Sequence, residues 1–145
     1  MASEISGKIK EKIHYFKVRV YYEDTDFTGI VYHANYLKFA ERGRTNYLRL
    51  IGINHSDLIN SKDPKYFVVY SMEIKFLGTS TIDDILEVRS VFVGIKGPRL
   101  KIDQEIFKDE EKLFSAKIEF AILDNKGKPR RFSEEIMSKI KQYLS

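Results

Sequence analysis

A chain of 145 residues with 43% apolar and 32% charged residues has room for one hydrophobic core, and its composition is that of an ordinary globular protein, which excludes disordered and fibrous classes. The formal charge of +4 is dispersed among interspersed acids and bases, so no basic face points to nucleic acid, and an anionic small ligand fits the charge equally well. With no cysteine there is no disulfide framework, thiolate nucleophile or cysteine-based zinc site, which fits a reducing compartment.

The first residues, Met1-Ala2-Ser3-Glu4-Ile5-Ser6-Gly7-Lys8, lack the apolar run of a signal peptide, and nowhere do eighteen apolar residues run together. A cytoplasmic protein without membrane insertion is the expectation. Residues 1–14 read as a polar, Lys-rich N-terminal extension, and residues 15–145 as a single domain. Phe16, Val18, Val20 and Tyr22 alternate with Lys17, Arg19, Tyr21 and Glu23, the period of a strand with one buried face.

From about Ala34 the period changes. Tyr36, Phe39, Ala40, Gly43, Tyr47, Leu50 and Ile51 recur three and four apart along one helical stripe, which Gly52 ends. Leu37 and Leu48 widen the apolar surface, so the helix is expected to be enclosed on more than one side, with Gly43 letting a sheet approach closely. Residues 53–65 read as a loop.

Four strands are expected next: one with Tyr70, Met72, Ile74 and Phe76 on a face, a less regular one with Leu86, Val88 and Phe92, one with Leu100, Ile102 and Ile106, and one with Phe114, Ala116, Ile118, Phe120 and Ile122. Ser133 can cap a terminal helix whose Ile136, Met137, Ile140 and Leu144 form a stripe. The class is α+β, an antiparallel sheet lying against a long helix. Five strands leave part of the helix and one sheet edge open, so a second copy is expected to cover them.

The chemistry concentrates in Tyr22-Glu23-Asp24-Thr25-Asp26-Phe27-Thr28-Gly29-Ile30-Val31-Tyr32-His33-Ala34-Asn35-Tyr36, between the first strand and the helix. A helix N-terminus presents unpaired backbone N–H groups and partial positive charge, so it can hold an oxygen on which negative charge develops. A carboxylate opposite it supplies a nucleophile or general base, the pairing that acyl transfer needs. Gly29 permits the turn between strand and helix.

The run Tyr-Tyr-Glu-Asp-Thr-Asp-x-x-Gly-x-Val-Tyr-His-x-Asn-Tyr, continuing through Glu41 and Arg44, resembles the signature of the 4-hydroxybenzoyl-CoA thioesterase family, nearest its Tol-Pal-associated acyl-CoA thioesterase branch. The resemblance implies a hotdog fold, an antiparallel sheet wrapped around a central helix. It further implies hydrolysis of acyl-CoA thioesters, a homodimer or homotetramer with interfacial active sites, acyl carrier protein as a further partner, and no cofactor or metal. Carried over by position, Asp26 is the catalytic carboxylate and the backbone N–H of His33 polarises the thioester carbonyl, while Gly29, Val31 and Tyr32 complete the site as substrate-binding residues.

Other readings compete. Asp24 reads as a structural carboxylate, Asn35 and Tyr36 as capping and packing residues, and His14 and His55 as surface residues. Glu41 reads as the partner of Arg44 rather than as an acid. Lys126, Lys128, Arg130 and Arg131, like Lys96-Gly97-Pro98-Arg99, could meet CoA phosphates or simply form solvated turns. Two other functions fit the same residues: a hotdog dehydratase using His33 and Glu41, and a non-catalytic acyl-CoA or acyl-carrier-protein binder with no need of Asp26.

Overall fold

The computed structural model describes residues 6–145. Chain order is β1 (Lys8–Lys10), β2 (Ile13–Arg19), a 3-10 turn (Tyr22–Asp24), α1 (His33–Leu50), α2 (His55–Ile59), β3 (Tyr66–Phe76), β4 (Ile85–Lys96), β5 (Arg99–Lys108), β6 (Glu111–Leu123), β7 (Pro129–Arg130) and α3 (Glu134–Lys141). The strands form one antiparallel sheet in the order β1-β2-β4-β5-β6-β3, with β7 paired to the end of β6. α1 lies along its inner face, the helix-in-sheet arrangement of the hotdog fold.

α1 forms where the 3.6-residue stripe predicts, and it buries Tyr36, Phe39, Ala40, Gly43, Tyr47 and Leu48. Leu50, expected on the stripe, is exposed, because the helix ends there and Gly52 turns the chain away at φ +88°. Gly43 is the point of closest approach: a Cβ there would stand 2.8 Å from Val88 Cγ1 of β4. The inward residues of β4 are Leu86, Val88, Ser90 and Phe92, and those of β5 are Leu100, Ile102, Gln104 and Ile106. The irregular alternation of β4 has a simple cause. Ser90 points inward as a polar residue and is satisfied there by Gln104 Nε2 at 2.9 Å.

Four expectations are corrected here. The fold does not begin at Tyr15: residues 8–10 pair with 13–15, and Gly7 N–H donates to Asn46 Oδ1 at 3.0 Å. The remainder of the expected extension, residues 1–5, lies outside the described residues. His14 is not a surface residue. It is fully buried, stacked on Tyr47 at 4.9 Å, with Nε2 2.7 Å from Asn46 Oδ1. Among the described residues the sheet has seven strands and not five, and the loop over 53–65 contains the short helix α2. Ser133 caps α3 as expected, its Oγ accepting from Ile136 N–H at 3.2 Å.

Edge strand β3 is the weakly covered part of the sheet. Tyr70 and Phe76, expected on its buried face, are 58% and 48% exposed, and a bulge between Val69 and Ser71 shifts its register.

Candidate active site

After β2 the chain is anchored by Val20, whose N–H donates to Asp84 O and whose carbonyl accepts from Asp83 N–H, both at 2.9 Å. The 3-10 turn follows, closed by Asp24, whose Oδ2 accepts from Tyr21 N–H at 2.8 Å. The Asp24 carbonyl then takes two donors from the far end of the loop, Tyr32 N–H at 3.0 Å and Asn35 Nδ2 at 2.8 Å. Asp24 is buried and structural, as its sequence context suggests.

Between these clamps residues 25–31 fold back on themselves. Asp26 N–H donates to Ile30 O at 2.8 Å, Gly29 N–H donates to Asp26 O at 3.0 Å, and Thr25 bridges Val31. Gly29 makes the reversal at φ +88°, a conformation that other residues adopt only under strain. The reversal brings the backbone at Asp26 alongside the strand leading into α1.

Asp26 is the carboxylate this loop holds out. Its Oδ1 accepts from both Thr28 N–H at 2.8 Å and Thr28 Oγ at 2.6 Å, whereas Oδ2 takes no hydrogen bond among the described residues. The Thr28 hydroxyl, and after it the Thr28 N–H, hold the Asp26 carboxyl below the usual carboxylate range against the opposing effect of desolvation. The group is ionised at neutral pH, fixed by one oxygen and available at the other.

The start of α1 supplies the complementary charge. Its N-cap, Tyr32, has extended backbone and makes no side-chain cap, and the first turn contains no acid. The positive end of an 18-residue helix is therefore not neutralised by its own side chains. The His33 ring lies 4.5 Å from the Tyr32 ring and 5.6 Å, edge-on, from Phe76; it makes no hydrogen bond among the described residues. Val31 is buried, its N–H donating to Ser80 O at 2.8 Å, while Tyr32 is half exposed.

Three supporting residues escaped the sequence reading or were undervalued by it. Thr28 fixes Asp26, and the Asp-x-Thr spacing of a side-chain turn was its only local signal. Asn35 ties the helix to Asp24. Ser80 has no local signal, being brought in from the β3–β4 connection to meet Tyr36.

Other sequence assignments change. Arg44 does not pair with Glu41: its guanidinium donates to Gln104 Oε1 at 3.0 Å and lies over the Phe120 ring, while Glu41 accepts from Thr45 Oγ at 3.3 Å. His55 is half buried rather than a surface residue. Arg130 is engaged by Asp124 at 2.8 Å, and the N–H groups of Lys126 and Lys128 close on the same carboxylate, so this basic turn is folded around an acid. Arg99 lies over Tyr70 and 3.6 Å from Glu119. Among the described residues no helix is long and apolar enough to cross a membrane.

Comparison with known proteins gives a consistent result. The model of the thioesterase-like superfamily matches residues 20–140. An acyl-CoA thioesterase YbgC of Haemophilus influenzae is 38% identical over 122 residues, 83% of this chain and 89% of that protein. An acyl-CoA thioester hydrolase YbgC of Escherichia coli is 36% identical over 127 residues, 86% and 93% of the two chains. A Bartonella henselae crystal structure, designated a probable thioesterase, superposes with a TM-score of 0.81 at 41% identity, covering 83% of this chain and 99% of that one.

Proposed function

This chain belongs to the thioesterase-like superfamily and hydrolyses acyl-CoA thioesters to the acid and CoA, and we propose that Asp26 is the carboxylate that drives the reaction. The observation that carries this reading is the pairing of an ionised Asp26, held through one oxygen by Thr28, with the uncapped start of α1 on the facing arm of the same loop. The thioester carbonyl oxygen sits at the helix start, where the backbone N–H of His33 stabilises the charge it gains. Asp26 serves either as nucleophile, forming a mixed anhydride as the CoA thiolate leaves, or as general base toward a water; both roles need the ionised form. Gly29, Val31 and Tyr32 contribute backbone and wall to the substrate site. The imidazole of His33 is secondary in this scheme, since its contacts are aromatic.

The same reading extends to assembly and setting. Phe27 is fully exposed beside Asp26, and Tyr22, Phe76 and Leu77 are each at least 48% exposed nearby, an apolar surround that a second copy would cover across edge strand β3. A homodimer or homotetramer with interfacial sites follows, working in the cytoplasm as a single domain and accepting acyl-CoA, with acyl carrier protein as a second carrier. Placement in the Tol-Pal-associated branch is supported by the run from Tyr21 to Tyr36. The 4-hydroxybenzoyl group is one acyl candidate among several.

The test is thiol release from a panel of acyl-CoAs by the wild type and by Asp26→Asn. Loss of about 10²- to 10⁴-fold in the variant is expected for removal of an acid–base or nucleophilic group. Undiminished hydrolysis by Asp26→Asn would refute the assignment. Binding of acyl-CoA with no turnover by the wild type would favour the binder, and hydration of an enoyl thioester the dehydratase.

A further inference from the structure

Two to four helical turns beyond the active-site loop, the C-terminal half of α1 leans over β3, β5 and β6 and closes a cavity of about 150 Å³. Leu48, Leu100, Ile102 and Phe120 make its apolar floor, and Arg44 and His55 are the nitrogen groups that reach it. Within the fold Arg44 meets Gln104 and the Phe120 ring and His55 meets the Phe67 ring, and neither forms an ion pair among the described residues.

Arg44 is only 7% exposed. Its hydrogen bond to Gln104 Oε1 is its one hydrogen bond among the described residues, and none of their carboxylates forms an ion pair with it. Gln104 is itself fixed, its Nε2 donating to Ala40 O and to Ser90 Oγ at 2.9 Å each, so its carbonyl is a neutral acceptor aimed at the guanidinium. Burial without a counter-ion draws Arg44 down to about 10, with Glu41 acting the other way, so the cation persists at neutral pH. A buried guanidinium that meets one neutral acceptor and the face of the Phe120 ring remains costly unless a further anion reaches it.

His55 adds a second unspent group. Its Nε2 is buried without a hydrogen-bond partner, and its ring packs 5.5 Å from Phe67. Burial holds it below the ordinary histidine value, with Glu41 opposing and Arg49 and Arg44 reinforcing, so it is a neutral ring with one N–H to give. Glu41 lines the same cavity but is exposed and engaged by Thr45; its charge favours the cationic forms of Arg44 and His55 without forming an ion pair with either.

We infer that this cavity binds a small organic carboxylate, its oxygens on Arg44 and His55 and its hydrocarbon against Leu100, Ile102 and Phe120. A planar guanidinium suits a carboxylate in two-point contact, and a cavity of this volume holds roughly one benzene ring. The ligand class is therefore a monoaromatic or short aliphatic acid. Thioester hydrolysis releases acids of this class, so occupancy would register product. The site uses no residue between Tyr22 and Tyr36 and stands or falls apart from the role of Asp26.

The probe is sodium benzoate, titrated into the full chain and followed by backbone amide NMR, with benzyl alcohol as its uncharged counterpart. Saturable shifts at Thr45, Leu48, His55 and Phe67 are expected, with benzyl alcohol weaker by about tenfold, as the loss of one charge-assisted contact implies. Arg44→Gln should weaken benzoate by about tenfold and leave benzyl alcohol unchanged, and His55→Phe, which keeps the ring on Phe67, should weaken benzoate by a smaller factor. If Arg44→Gln does not fold, the wild-type comparison and His55→Phe decide. Equal binding of the two probes, shifts confined to residues 26–33, or no saturable shift up to the solubility of the salt would each overturn the inference.

Discussion

The Tyr36 and Ser80 hydroxyls meet at 2.8 Å beneath the first turn of α1, and the same Ser80 takes Val31 N–H on its carbonyl at 2.8 Å. One residue of the β3–β4 connection thus holds both the helix and the strand that leads into it. Tyr36 is 3% exposed, so its hydroxyl has no water to replace the bond. Tyr36→Phe and Ser80→Ala should each cost about 1–3 kcal/mol, because each leaves the other buried hydroxyl unpaired. Both should lower kcat more than they raise KM, since what loosens is the aim of the helix start. Urea denaturation with steady-state kinetics checks this, and a loss in KM alone would contradict it.

On the proposed role of Asp26, Thr28 sets the acid side of activity. Its hydroxyl is the first cause of the low Asp26 pKa, followed by its backbone N–H. The wild-type enzyme should therefore lose kcat/KM only as pH falls through a value below the ordinary 3.8. In Thr28→Ala the backbone donor remains and the hydroxyl is gone, so the acid limb should move upward toward that ordinary value. A pH–rate profile on an acid-stable acyl-CoA measures the displacement, and coincident profiles would remove Thr28 from the mechanism.

Much of this was legible in the sequence, for identifiable reasons. α1 spans ten residues or more with a sustained 3.6-residue stripe, and β6 presents five apolar residues at strict alternation, so both announce themselves. The loop around Asp26 carries its geometry locally, in Gly29 and in carboxylates spaced for turns. β1 was hidden because a three-residue edge strand has one inward residue, Ile9, between two lysines, which reads as polar tail. His14 and Arg44 were misread because their partners, Asn46 and Gln104, lie 32 and 60 residues away in the chain. Ser80 was missed on the same ground, 44 residues from Tyr36. Side chains satisfied at long range leave no periodic trace.

Gly43 is needed for packing rather than for backbone conformation, as it sits mid-helix. An alanine there would favour the helix by about 1 kcal/mol. Its Cβ, however, would stand 2.8 Å from Cγ1 and 3.3 Å from Cβ of Val88, a fully buried β-branched residue with little rotamer freedom. Overpacking of this kind costs about 1–3 kcal/mol, so Gly43→Ala should be destabilising on balance. Adding Val88→Ala should recover less than its own cavity cost removes. Equilibrium unfolding of the two single variants and the double variant reads the coupling, and simple additivity would mean that the helix has moved away from β4.

Buried His14 should make stability depend on pH in mildly acid solution. Burial lowers its pKa from 6.5, the bond to Asn46 only partly offsetting it, and His55 is lowered for the same first cause. In the unfolded chain both rings take up a proton near 6.5, whereas the folded protein resists doing so. The unfolded state therefore binds more protons in this window, and stability, fully present above 6.5, falls as pH drops through the folded values. The lowered carboxylates lie elsewhere on the scale: Asp124 is drawn down to about 2, and Asp26 and Asp84 lie below 3.8, so they act only in stronger acid. Protonation would place a proton and charge on Nδ1, which is buried without a hydrogen-bond partner in a ring stacked against Tyr47 and packed beside the Asn46 side chain that holds Gly7 N–H, so the loss should begin at β1. Melting temperatures at about pH 8, 6.5 and 5 should fall across the series in the wild type and fall less in His14→Phe, which keeps the stack and does not titrate. Equal slopes for the two proteins would assign the acid sensitivity to His55 alone.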